Sequence, residues 1–192
     1  MKATEILPEG YSEICTVNLQ EDKKTSLLVN LSAVIIAVLL AVPALFAVPV
    51  SYMFSMEKGI IDYMLRFVSL MVLIFVYLIL HELVHGVAMK ICGTKKVKYG
   101  FTGLYAFAGS EDFYDKKAYI FIALAPVVFW GIVIAIINPF VPLEWFWVVY
   151  FLQIINLSGA AGDLYVTIKF FRLPSDILVK DTGIMMTVYS KQ

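Results

Sequence analysis

The stretch Val72-Leu73-Ile74-Phe75-Val76-Tyr77-Leu78-Ile79-Leu80 contains no charged residue and leads directly into His81-Glu82-Leu83-Val84-His85-Gly86. Two histidines four residues apart lie on one face of a helix, so both imidazoles can bind the same ion. The glutamate after the first histidine is then placed to accept a proton from water at that ion. This H-E-x-x-H pattern is typical of zinc hydrolases, and here it ends an apolar helix long enough to lie in a bilayer.

The composition indicates an integral membrane protein. Of the 192 residues, 61% are hydrophobic and 16% are charged, whereas soluble domains carry about a quarter charged residues. The length suits one domain with a handful of spans. The net charge is zero, which indicates no nucleic-acid partner. Cys15 and Cys92 form neither a metal-binding pair nor a disulfide framework. Because the composition is that of a membrane protein, the first partner that we expect is the lipid bilayer.

Four apolar segments predict four transmembrane helices. They are residues 27–50, 63–91, 118–137 and 144–171. Each is long enough to cross the hydrocarbon core of a membrane. Pro43 and Pro49 are expected to kink or end the first helix, and Cys92-Gly93-Thr94 is a typical helix-stop signal for the second.

The remaining segments predict short strands rather than helices. Residues 11–19 alternate between apolar and polar, residues 97–108 alternate loosely around two glycines, and the tail 173–192 is polar and mixed. The predicted fold class is therefore an all-α membrane protein with about four transmembrane helices and short strand or hairpin segments on the cytoplasmic side. We divide it into a cytoplasmic N-terminal segment 1–26, a four-span domain 27–171 and a cytoplasmic tail 172–192. We expect no cleavable signal peptide, because residues 1–26 are mixed and polar.

The distribution of lysine and arginine predicts the orientation. These residues cluster in the N-terminal segment, after the second span and in the tail, and they are scarce after the first and third spans. The positive-inside rule then places both termini in the cytoplasm. We therefore expect a multi-pass protein of the cell membrane whose two cysteines stay reduced.

A zinc ion needs a third protein ligand, with one position left for water. Asp163 is the best candidate, because it lies at the same depth as His85. The two residues stand roughly 9 Å and 8 Å along their helix axes from the lysines that follow them. A carboxylate in hydrocarbon is costly and points to function, although Asp163 could instead snorkel or pair with Lys169. The predicted cofactor is one Zn²⁺ ion, bound by His81, His85 and Asp163.

Asn156 precedes Asp163 by seven residues, so both lie on the same helix face. Two roles are open for Asn156. Its amide could donate a hydrogen bond to a substrate carbonyl or to the developing oxyanion. It could equally make an interhelical hydrogen bond without a part in catalysis.

Together these residues resemble the site-2 protease class of intramembrane zinc metalloproteases, which place H-E-x-x-H in one span and an aspartate, preceded by asparagine, in a later span. The chain is also similar to a smaller family of four-helix zincin peptidases, through Leu124-Ala125-Pro126, Gly162-Asp163-Leu164 and Asp181-Thr182-Gly183. The resemblance implies the same three zinc ligands, with Glu82 as general base. It also implies that residues 99–107 pair with an extended substrate by strand addition. The larger proteases have a proline-containing segment where this chain has residues 158–162, which leaves the role of Asn156 open.

The sequence therefore predicts an intramembrane zinc endopeptidase that cuts a membrane-embedded protein or peptide near the cytoplasmic face. The alternative is a non-catalytic zinc-binding membrane protein that binds partner transmembrane segments. Glu82 argues against this alternative, because a structural metal site needs no base. A zinc transporter would need polar groups along a whole pathway, whereas here they lie at one depth.

Overall fold

The computed structural model describes residues 2–19, 21–103 and 105–191. The described helices are α1 (Lys23–Ala47), α2 (Ile60–Ile91), α3 (Lys116–Ile137), α4 (Leu143–Gly159) and α5 (Ala161–Phe171), with short 3₁₀ helices at Val50–Phe54 and Asn138–Phe140. The described strands are β1 (Ala3–Thr4), β2 (Tyr11–Val17), β3 (Lys98–Phe101), β4 (Ala106–Gly109), β5 (Phe113–Asp115), β6 (Leu178–Asp181) and β7 (Met186–Lys191).

Four helical segments in the described ranges are long and apolar enough to cross a membrane. They are Lys23–Ala47, Ile60–Ile91, Lys116–Phe140 and Leu143–Phe171. Each coincides with one predicted span, so the prediction of four apolar helices is confirmed. Their number and length are consistent with a multi-pass membrane protein.

The fourth predicted span is interrupted, and this corrects the expectation of one continuous helix. Helices α4 and α5 meet at Ala160, whose φ of −83° and ψ of 15° depart from helical geometry. Ser158 Oγ donates to the Ile154 carbonyl at 2.7 Å, and such bonds back to the preceding turn bend helices. Glycines on both sides lower the helix propensity further. The break places Asp163 in the first turn of α5.

The β structure is more extensive than the short segments that the sequence predicts. Five strands form one antiparallel sheet in the order β1-β5-β6-β7-β2. Strand β2 pairs with β7 from Tyr11 opposite Lys191 to Val17 opposite Met186, with a register shift after Glu13. Strands β3 and β4 form a separate hairpin, which confirms the prediction for residues 97–108. The all-α class therefore needs correction to a helical protein with a separate antiparallel sheet.

The chain divides into two compact units. Unit 1 comprises Met1–Val29, Leu80–Pro126 and Gly162–Gln192, and unit 2 comprises Asn30–Ile79 and Val127–Ala161. Unit 1 contains both sheets, the motif end of α2, the start of α3 and almost all of α5. The earlier division at residues 26 and 171 stays a prediction.

The core of unit 1 holds the end of α2 in place. Gly93 follows α2 with a φ of +108°, and the Thr94 backbone N–H donates to the Met89 carbonyl at 3.1 Å. The Thr94 hydroxyl also bonds the buried Tyr114 hydroxyl at 2.6 Å, and that hydroxyl bonds Ser110 Oγ at 2.6 Å. This polar cluster links the helix that carries the histidines to the segment between β4 and β5.

In unit 2, two buried side chains bind backbone carbonyl groups. Arg66 is fully buried in α2 and donates to the carbonyls of Tyr52 and Ser55. Trp147 is 1% exposed, and its Nε1 donates to the Val48 carbonyl at 3.1 Å. Helix contacts in this unit thus include specific hydrogen bonds as well as apolar packing.

Candidate metal centre

The two histidines of the motif lie one turn apart on α2 in unit 1. The ring centroids of His81 and His85 are 5.0 Å apart, and their planes meet at 76°. Both side chains are nearly buried, with 12% and 11% of their surfaces exposed. The helical spacing therefore brings both imidazoles to one place, as the sequence predicts.

A backbone carbonyl of α3 orients His85. The Nδ1 atom of His85 lies 2.9 Å from the Ile122 carbonyl oxygen. Pro126, inside α3, has no N–H to donate to the carbonyl four residues before it, so the Ile122 oxygen lacks its helical donor. His85 Nδ1–H donates to this oxygen, which leaves Nε2 free as a ligand atom.

Asp163 completes the group from the first turn of α5. Its Oδ2 lies 3.5 Å from His81 Nε2, and its Oδ1 lies 3.6 Å from His85 Nε2. A carboxylate is favourable near a helix N-terminus, where backbone N–H groups point outward. Sequence reasoning found Asp163 from its depth and from the cost of a carboxylate in hydrocarbon, and the structure places it beside both histidines.

The three side chains fit a zinc ion. One ligand atom from each lies within 4.8 Å of the others. Around a tetrahedral zinc with bonds of about 2.0–2.2 Å, neighbouring ligand atoms are separated by roughly 3.3–3.6 Å. Each histidine Nε2 lies at a comparable distance from one oxygen of Asp163, His81 from Oδ2 and His85 from Oδ1. Two neutral imidazoles and one carboxylate are common zinc ligands, so His81, His85 and Asp163 could hold a metal ion.

Glu82 lies next to this group on α2, and β4 approaches it. The backbone N–H of Ala108 is close enough to interact with the Glu82 carboxyl group. The hairpin register explains the approach. In an antiparallel hairpin, hydrogen-bonded residue pairs alternate with non-hydrogen-bonded pairs. Thr102 and Tyr105 form a hydrogen-bonded pair, because the Thr102 N–H donates to the Tyr105 carbonyl. Tyr99 and Ala108 lie three pairs away and therefore form a non-hydrogen-bonded pair. The N–H of Ala108 therefore points away from β3.

Asn156 belongs to unit 2, whereas the three candidate ligands belong to unit 1. Asn156 is fully buried. Its Oδ1 accepts from the Tyr77 hydroxyl at 2.8 Å, and its Nδ2 donates to the Val127 carbonyl at 3.1 Å. Asn156 thus makes interhelical hydrogen bonds, which is the non-catalytic role that the sequence left open for it. A contact with substrate stays a prediction.

Asp181 ends β6 in unit 1. Its Oδ2 accepts from the Tyr119 hydroxyl at 3.0 Å and its Oδ1 from the Gly183 N–H at 2.8 Å. Burial raises the pKa of the Asp181 carboxyl to about 6, although both hydrogen bonds oppose this change. The turn that follows packs on β4, since a Cβ at Gly109 would overlap the Thr182 backbone. The sequence marked Asp181-Thr182-Gly183 only as a family likeness.

Residues 74–178 match a protein family described as "Putative zincin peptidase". An uncharacterized 24.7 kDa protein in the gap 5' region of Pyrococcus woesei is 30% identical over 142 residues. That alignment covers 71% of this chain and 59% of the relative, so this chain spans less than two thirds of the relative's length. No solved structure matches the chain. The family match covers more than half of the chain and includes His81, Glu82, His85 and Asp163. The chain therefore belongs to the "Putative zincin peptidase" family.

Proposed function

We propose that this protein is an intramembrane zinc metallopeptidase of the site-2 protease type, which hydrolyses a peptide bond of a membrane-embedded substrate near the cytoplasmic face. The observation that carries the proposal is the grouping of His81, His85 and Asp163 on helices apolar enough to span a membrane, with Glu82 beside them. Membership of a zincin peptidase family supports peptide hydrolysis.

The exposed surfaces of the helices support a membrane environment. Helix α1 buries only Ala44 among its described side chains, and large apolar side chains are exposed along α1 and α2. Apolar surface of this extent is costly in water and favourable in hydrocarbon. The lysine distribution supports cytoplasmic termini and an active site near the inner face.

Zinc, Glu82 and His85 have separate roles in the proposed reaction. Bound zinc supplies a Lewis acid that activates water at neutral pH. Glu82 accepts the proton of the attacking water and donates it to the leaving nitrogen of the peptide. His85, held by the Ile122 carbonyl, keeps its ligand atom in a fixed direction. The low exposure of the His81 and His85 side chains limits the water that can compete for the site.

Strand β4 offers an edge for an extended substrate. The register turns the backbone groups of Ala106 and Ala108 away from β3 and toward the side of Glu82. On the same edge, the Ser110 N–H already donates to the Asp181 carbonyl at 2.7 Å. A substrate strand added beside Ala106 and Ala108 would bring a peptide bond next to Glu82. Leu104, in the middle of the predicted segment 99–107, lies outside the described residues.

The test combines metal analysis with cleavage. Purified full-length protein and its Glu82→Gln variant are analysed for zinc and incubated with a panel of single-span model substrates in detergent. We expect about one zinc per chain in both, and a loss of roughly 10²–10⁴-fold in cleavage rate for Glu82→Gln. The matched control Glu57→Gln changes an exposed glutamate and should cleave like the wild type.

Two outcomes would contradict the proposal. Zinc without cleavage by the wild type across the panel would favour a non-catalytic protein that binds partner transmembrane segments. Wild-type protein that binds no zinc would remove the basis of the metal assignment.

A further inference from the structure

The turn between β6 and β7 closes one end of the outer edge of β4. The Asp181 carbonyl accepts the Ser110 N–H at 2.7 Å, so Asp181 occupies the place of a neighbouring strand opposite Ser110. The backbone groups of Ala106, Ala108 and Ser110 point away from β3, because these residues alternate with those that bond to it. A strand from outside can therefore lie beside Ala106 and Ala108, but the place beside Ser110 is already taken.

The same turn also crosses one face of β4. A Cβ atom at Gly109 would overlap the Thr182 backbone. A Cβ atom at Gly183 would overlap the ring of Phe107. Phe107 and Gly109 are two residues apart and so share one face of the strand. The turn thus covers the end of β4 both at its edge and on this face.

Hydrogen bonds hold the turn in this place. The Thr182 N–H donates to the Met185 carbonyl at 3.1 Å, and Asp181 Oδ1 accepts from the Gly183 N–H at 2.8 Å. Gly183 has a φ of +85°, which glycine adopts without strain. Asp181 Oδ2 accepts from the Tyr119 hydroxyl at 3.0 Å, which anchors the turn to α3. A peptide that extends along β4 therefore meets a fixed obstacle.

This obstacle lies close to the proposed point of cleavage. The Ala108 N–H is close enough to interact with the Glu82 carboxyl group, so the bond to be cut lies near Ala108. Ser110 is two residues further, or about 7 Å along the strand. Exposure falls over the same distance, from a half-buried Ala106 to 7% at Ala108 and 1% at Ser110. The groove is thus open toward Ala106 and closed toward Ser110.

We propose that the Asp181–Gly183 turn is the end wall of the substrate groove and makes this groove one-sided. The inference rests on the proposed function, because it takes Glu82 as the base and β4 as the strand that a substrate joins. On the walled side, toward Ser110, the substrate backbone must end or bend away about one residue past Ala108. The substrate class is therefore a peptide segment that leaves the extended conformation next to the cleaved bond, as at a glycine or at the junction with a transmembrane helix.

Truncated substrates test the end wall with the wild-type protein. The cleaved bond is first located by mass spectrometry in the single-span substrate that is cut best. Peptides are then shortened one residue at a time from either end, and kcat/KM is measured with zinc-loaded, full-length protein in detergent. On the open side, loss of the residue that pairs with Ala106 should lower kcat/KM about 10-fold, because two backbone hydrogen bonds are lost. On the walled side, residues more than about two positions from the cut should change kcat/KM less than about 2-fold.

Gly109→Ala displaces the wall, because the new methyl group overlaps the Thr182 backbone. In this variant the walled side should gain a dependence of kcat/KM on chain length. Gly159→Ala is the matched control, since a Cβ atom there meets open space, and its length profile should match that of the wild type. Zinc content shows whether each variant keeps its metal centre. If Gly109→Ala does not fold, the wild-type truncation series alone decides.

The outcomes are distinguishable. Equal dependence of kcat/KM on chain length on the two sides of the cut would overturn the end wall while leaving the peptidase proposal intact. An unchanged length profile in folded, zinc-loaded Gly109→Ala would also overturn it. If the zinc-loaded wild type cleaves none of the single-span substrates, the proposed function itself fails, and the end wall falls with it.

Discussion

Replacing Asp163 by asparagine should remove zinc while leaving the fold in place. Asparagine has nearly the same shape, but its neutral amide is a much poorer ligand for zinc than a carboxylate. Asp163 supplies one of the three ligand atoms that lie within 4.8 Å of one another. The two histidines would remain as an incomplete pair.

The size of the loss can be worked from the number of ligands. Four-ligand zinc sites bind with about 10–16 kcal/mol of apparent free energy at neutral pH, or roughly 3–4 kcal/mol per ligand. Loss of one ligand therefore weakens the apparent Kd by about 10²–10³-fold. The effect should not exceed this range, because both imidazoles stay and His85 keeps its hydrogen bond to Ile122.

The assay is zinc competition against a chromogenic chelator, with zinc content of the purified protein measured in parallel. Asp176→Asn is the matched control, because Asp176 accepts hydrogen bonds from Ser190 and Lys191 in the same unit, away from the histidines. The control should bind zinc like the wild type. An Asp163→Asn protein that is folded and binds zinc with unchanged affinity would refute the assignment of Asp163 as a ligand.

Three further predictions test the surroundings of the site. Pro126→Ala restores an N–H that competes for the Ile122 carbonyl, so zinc affinity should fall about 10-fold; unchanged chelator competition would contradict this. For Asp181, a folded-state pKa of about 6 against 3.8 means that ionisation opposes folding. Wild-type stability should therefore decrease by about 2 kcal/mol from pH 4 to 7, as the pH rises from the unfolded pKa through the folded one. In thermal unfolding, Asp181→Asn should lose less stability than the wild type between pH 4 and 7. An equal loss in the two proteins would refute the raised pKa of Asp181. Tyr114→Phe leaves two buried hydroxyls without their partner and should cost about 2 kcal/mol; an unchanged Tm would exclude a stabilising role.

Much of the helical architecture could be read from the sequence, because it depends on local signals. Apolar runs of sufficient length predicted the four membrane-compatible helices, and Gly93 predicted the end of α2. Helical periodicity alone predicted that both histidines of the motif lie on the same face of α2. Asp163 followed from a physical cost, since an unpaired carboxylate at membrane depth is unfavourable. These inferences needed no knowledge of distant contacts.

What the sequence did not reveal depends on pairings between distant segments. Strand β1 has two residues and pairs with β5, which no local pattern predicts. The contact between His85 and Ile122 needs two helices in register, although Pro126 was a signal that a carbonyl four residues earlier lacked a donor. The alternation in residues 97–108 predicted a hairpin, but only its register shows that Ala108 turns its N–H away from β3.

The sheet order also constrains how the protein is made. Synthesis proceeds from the N-terminus, so β2 emerges before α1 and β7 emerges after α5. During that interval β2 is an unpaired edge on a growing chain, which is the kind of strand that mispairs with neighbouring chains. Unit 1, which contains the three candidate ligands, is complete only when residues 186–191 reach β2. All five helices are therefore synthesised before unit 1 is complete, so a partly synthesised chain lacks the completed unit that holds the three candidate ligands.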